Sequence, residues 1–143
     1  MQTINISKLL PMYATRQLSN EEWDFWIDNI VKKSQYHEKP FFYVGAFSIQ
    51  MLFDSRYSRE EASYVFQKLD KISDDLRVQY INDGNIKEFL DGIERLFESS
   101  VGGKSKDGIL KEEIEDLKKF NPDIQTEILK ILKEKYRWYF LKN

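Results

Sequence analysis

Apolar residues recur along this chain mainly at spacings of three and four, the period of a helix with one face turned inward. Ser19 and Glu22 form a capping box that opens a helix reaching about Lys33, with Trp23, Trp26, Ile27, Ile30 and Val31 as its buried stripe. After the connector Tyr36-His37-Glu38-Lys39-Pro40 comes a run from Phe41 to Phe53 that is apolar on every side. Its length exceeds that of a typical strand, which favours a helix, and apolarity all round marks a helix at the centre of the fold. Gly45 and Ala46 would let neighbours approach it closely. A second capping box, Ser58 with Glu61, starts a helix with the core face Ala62, Val65, Phe66, Leu69, Ile72 and Leu76. The turn Asn82-Asp83-Gly84-Asn85 separates it from the cleanest stripe in the chain: Ile86, Phe89, Leu90, Ile93, Leu96 and Phe97. A glycine-, serine- and lysine-rich loop is expected over Ser99 to Gly108. Two closing helices bury Ile109, Leu110, Ile114, Leu117 and Phe120, then Ile124, Ile128, Ile131, Leu132 and Tyr139, the second capped by Asn121 ahead of Pro122.

This pattern predicts an all-α fold: a single compact bundle of about six helices around the hydrophobic helix Phe41 to Phe53, with residues 1–143 as one domain. No internal repeat or linker divides the chain. Its 143 residues suffice for a core without metal or disulfide staples. Ten Phe, eight Tyr and three Trp argue against disorder. The absence of cysteine removes disulfides and thiol catalysis and suits a reducing compartment. Met1 to Leu10 lacks the basic and apolar regions of a signal peptide, and no run is long enough to span a bilayer, so a cytoplasmic, membrane-free protein is expected. The sequon Asn5-Ile6-Ser7 then has no meaning. A net charge of −2 gives no global attraction to nucleic acid or membrane.

The chemistry-bearing residue types are sparse. Gly103-Lys104-Ser105 matches the end of a phosphate-binding loop, but position 98 is Glu98 where that motif needs glycine, and helix precedes it where a strand belongs. His37 is the lone histidine, which excludes a zinc site built from His and Cys, and no nucleophile-elbow pattern accompanies it. No enzyme, cofactor or metal site is expected. Two surfaces remain as candidates for binding a partner. On the first helix, at about 100° per residue, Glu21, Asp24 and Asp28 share a flank away from the Trp23/Trp26 stripe, and Phe25 lies beside them opposite the core. An aromatic out of phase with the buried stripe, next to three uncompensated acids, resembles a binding anchor with an acidic surround; the alternative is that Phe25 packs under a neighbouring loop. Glu112, Glu115 and Asp116 make a second acidic flank, with Lys111 and Lys119 in reach. The C-terminal run from Lys133 to Lys142 mixes basic and aromatic residues, a combination that can also bind single-stranded nucleic acid.

A small, cysteine-free, mildly acidic helical domain without catalytic groups resembles, in overall character across the whole chain, the immunity proteins of bacterial toxin systems such as contact-dependent inhibition. That resemblance implies tight binding to a cognate toxin domain, such as a basic nuclease, with blockade of its active site. A helical adaptor or scaffold, or a nucleic-acid-binding module built on the C-terminal helix, are the alternatives.

Overall fold

The computed structural model describes residues 17–99, 103 and 105–142. The readings of Met1 to Leu10, the sequon at Asn5 and the residue Lys104 lie outside them. The fold is all-α. Its helices are α1 (Asn20–Ser34), α2 (Pro40–Phe53), α3 (Arg59–Asn82), α4 (Ile86–Glu98), α5 (Lys106–Glu115), α6 (Pro122–Lys135) and α7 (Arg137–Lys142), with a 3-10 turn at Asp116–Lys119. No described residue is in a strand, and no helix among them is long and apolar enough to cross a membrane. The chain divides into two compact units, Met1–Arg77 and Val78–Asn143, the division falling inside α3.

The first unit has one apolar cluster. Trp23, Trp26, Ile27 and Ile30 of α1 pack with Tyr43, Val44, Phe47 and Met51 of α2 and with Val65 and Leu69 of α3. α1 begins where the sequence places it: Glu22 N–H donates to Ser19 Oγ at 3.2 Å and Ser19 N–H to Glu22 Oε1 at 3.1 Å. α2 is indeed helical, opening on Pro40 at a first-turn position where a missing N–H costs nothing. It is not buried on all sides, however: one face enters the cluster and the other stands exposed. A Cβ added at Gly45 would meet Ser73 Oγ at 3.1 Å, so glycine lets α3 come close there. Ser73 Oγ also donates to Phe41 O at 2.7 Å.

The second capping box forms and does more than cap. Glu61 N–H donates to Ser58 Oγ at 3.1 Å, while the buried Glu61 carboxylate accepts from Ser58 N–H at 3.3 Å, Leu18 N–H at 3.0 Å and Trp23 Nε1 at 2.9 Å. Burial pushes the Glu61 carboxyl up, but the hydrogen bonds from Leu18, Trp23 and Ser58 together outweigh it and hold the group below its ordinary value. A depressed folded-state value contributes stability that is present above the ordinary 4.5 and lost as pH falls through the folded value. The urea midpoint is therefore expected to fall as pH drops below about 4.5, and Glu61→Gln to be less stable at pH 7 yet to lose less on acidification. An unchanged pH slope in Glu61→Gln would remove this carboxylate from the acid response.

The second unit has its own cluster, built from Ile81, Ile86, Phe89, Ile93, Leu110, Leu117, Phe120, Ile124, Ile128, Leu132 and Tyr136. Gly84 takes φ +109° in the turn before α4, a value that disfavours other residues. The loop expected to reach Gly108 is shorter than that. Ser105 caps α5 by accepting from Gly108 N–H at 3.1 Å, so residues 106–108 are already helical. Asn121 occupies the cap position of α6 without a side-chain cap bond. Its N–H instead donates to Asn82 Oδ1 at 2.9 Å. The last helix is also not continuous. α6 stops at Lys135, and Tyr136, at φ −116° and ψ 46°, separates it from α7.

Candidate protein-binding surfaces

The α1 surface is positioned by the burial of the opposite face. Trp23, Trp26, Ile27 and Ile30 fix the rotation of the helix, and the same register turns Glu21, Phe25 and Asp28 outward. Phe25 is 74% exposed, so it does not pack beneath a loop. Asn29 Nδ2 donates to Phe25 O at 3.1 Å. Glu21 and Asp28 are exposed on the flank of the ring, and Lys32 follows one turn after Asp28.

Asp24 departs from the sequence expectation. It is not an uncompensated acid: Oδ1 accepts from Tyr64 Oη at 2.7 Å and from Lys68 Nζ at 2.9 Å. The Tyr64 bond, then Lys68, holds its carboxyl below the usual range. Hydrogen bonding to Tyr64 and Asp24 pushes the Lys68 ammonium up to about 12. The same ammonium sits 4.9 Å from the Tyr64 ring centroid, a cation–π distance. Asp24 thus ties α1 to α3, and Glu21 and Asp28 remain as the acids flanking Phe25. The out-of-phase position of Tyr64, with Lys68 one turn later, was the signal in the sequence.

Glu112, Glu115 and Asp116 belong to the other unit. All three are exposed, but Asp116 opens the 3-10 turn, where the helical register changes, and lies 4.0 Å from Lys119 Nζ. Among the described residues, no exposed aromatic of α5 or the 3-10 turn accompanies them. The mixed C-terminal run is divided between two helices. Tyr136 is buried, meets Phe97 edge-to-face at 5.6 Å and donates to Glu94 Oε1 at 2.5 Å, while Lys135 pairs with the same carboxylate at 3.1 Å. Tyr136 therefore presents no free ring to a base, and Trp138 is the exposed aromatic of this end. His37 is exposed and stacks on Tyr43 at 4.2 Å. No group of three or more His, Asp or Glu among the described residues could hold a metal ion.

An apolar surface lies where the sequence predicts burial. On α2, Phe42 is 68% exposed, Ile49 56% and Phe53 82%, with Leu52 beside them. An open groove of about 430 Å³ runs along this face, lined by Phe41, Phe42, Gly45, Ala46, Ile49, Gln50 and Ser73. Gln50 Oε1 is buried and has no hydrogen-bond partner among the described residues. Two exposed faces of the first unit thus differ in kind: α1 offers one ring among charges, and α2 offers a stripe with no charge at all. No protein-family model, curated protein or solved structure matches this chain.

Proposed function

We propose that this chain is a protein-binding inhibitor of the immunity-protein kind, which neutralises a cognate toxin domain in the cytoplasm by covering its active site. The outer face of α1 is the surface assigned to that contact. The observation that supports it is Phe25, standing exposed between Glu21 and Asp28 on the face opposite the buried tryptophans. An exposed phenylalanine gains about 1.5–3 kcal/mol when a partner buries it, which is the scale of a binding anchor. Acids at its edge speed encounter with a basic partner and disfavour acidic ones. The flank Glu112, Glu115 and Asp116 is the second candidate surface, weaker for lack of an anchor.

The test begins with capture of the partner from the host, then titration of the purified pair. Phe25→Ala is expected to weaken binding by about 30-fold or more, mainly through faster release. Asp28→Lys is expected to slow association and to flatten its salt dependence. Asp24 is a poor probe because its substitution would also free Lys68 and Tyr64. If both variants bind as tightly as the parent, the α1 assignment is wrong. If the captured partner has no toxic activity for the chain to extinguish, the inhibitor reading falls with it.

A further inference from the structure

We infer that the outer face of α2 pairs with the same face of a second copy of this chain. Phe42, Ile49 and Phe53 fall within about 20° of one line along the helix, with Ala46 close to it. With the half-exposed Leu52 beside them, the exposed area is on the order of 500 Å² per copy, from side chains of about 150–250 Å² each. That is at the upper end of what a monomer leaves in water. Two such faces together bury about 1,000 Å², the lower bound for a specific interface.

The choice of a second copy rests on charge and shape. Pro40–Phe53 contains no charged residue, so the face does not repel itself, nor does it carry a charge that would select an oppositely charged partner. Interfaces between copies of one chain are more apolar than those between unlike partners. The face is also self-complementary. The groove has the small residues Gly45 and Ala46 between Phe42 and Ile49. The most exposed ring of the stripe, Phe53, lies seven residues beyond Ala46, about 10 Å along the axis. In an antiparallel pairing about a two-fold axis between positions 49 and 50, Phe53 of each copy falls opposite Ala46 of the other. A projection and a hollow on one surface, exchanged by a two-fold axis, make a closed dimer.

Sedimentation velocity of the full chain from about 1 to 300 μM tests this. The expected result is a reversible species of twice the chain mass. Ile49→Asp and Phe53→Asp, both at exposed positions, are each expected to raise the dissociation constant by at least about 100-fold while leaving helical circular dichroism unchanged. Phe25→Ala is expected to leave the dimer intact, which separates this face from the one assigned to the toxin. A chain that sediments as a monomer throughout overturns the inference. So does a dimer that survives both aspartate variants.

Discussion

Trp23→Ala is expected to destabilise the first unit by about 3–5 kcal/mol, the largest effect of any single truncation there. Trp23 is completely buried, with its ring edge-to-face against Trp26 at 5.6 Å and Tyr57 at 5.3 Å. Removing it opens a cavity that α1 cannot close, because Asp24, the next residue, is held by Tyr64 and Lys68. It also takes one donor from the buried Glu61 carboxylate, which keeps Leu18 and Ser58. Trp23→Phe separates the two losses. The phenyl ring preserves most of the packing but lacks the N–H, so about 1–3 kcal/mol is expected. Hydrogen exchange at the amides of α1 and α2 reads this unit directly. Trp23→Ala should lower protection there by roughly 10² to 10^3.5, since each 1.4 kcal/mol is tenfold. A drop smaller than tenfold would mean that the cavity collapses and that the indole is no anchor.

The helices were legible because their core faces repeat at a helical period, and two starts were legible because capping boxes are local. What a local pattern cannot report is how many neighbours a helix will find. α2 is apolar on all sides, and from that its burial on all sides was expected. In the first unit α1 and α3 contribute to its cluster, leaving Phe42, Ile49 and Phe53 in water. The sequence records each residue's preference, not the supply of surface to satisfy it. Long-range polar ties escaped for a related reason. Asp24 meets Tyr64 and Lys68 some forty residues away, and Asn121 N–H finds Asn82 at a separation of 39. The break at Tyr136 has no glycine or proline to announce it. It coincides with that ring turning inward to Phe97 and Glu94.

The candidate site was legible in part. Phe25 was read as out of phase with the core, and it is exposed. The acidic surround was overstated, because periodicity places Asp24 on the correct face of α1 without showing that Tyr64 and Lys68 reach it. The two modes of association proposed above differ in their chemistry. A single ring among charges can be left hydrated at small cost until a partner covers it, which suits a surface that is free in the absence of its partner. An uncharged stripe with its own groove gains little from charge steering and much from staying covered, which suits a second copy.

In the second unit Phe89→Ala carries the largest expected loss, again about 3–5 kcal/mol. Phe89 lies on the face of α4 with Ile86 and Ile93, almost wholly buried and edge-to-face with Phe120 at 5.6 Å. Phe120 terminates the 3-10 turn, and its carbonyl accepts from Gln125 Nε2 at 2.7 Å, so one ring contact joins α4 to the entry of α6. Truncation removes a large buried volume at that junction. Leu96→Ala on the same helix is the control: Leu96 belongs to the predicted stripe yet is 43% exposed, so the cost should stay below about 1 kcal/mol. Amide protection in α4 and α6 is expected to fall by about 10² to 10^3.5 in Phe89→Ala and by less than tenfold in Leu96→Ala. Equal losses at the two positions would mean that the stripe acts through its apolarity alone, and that the ring contact between Phe89 and Phe120 adds nothing to the core.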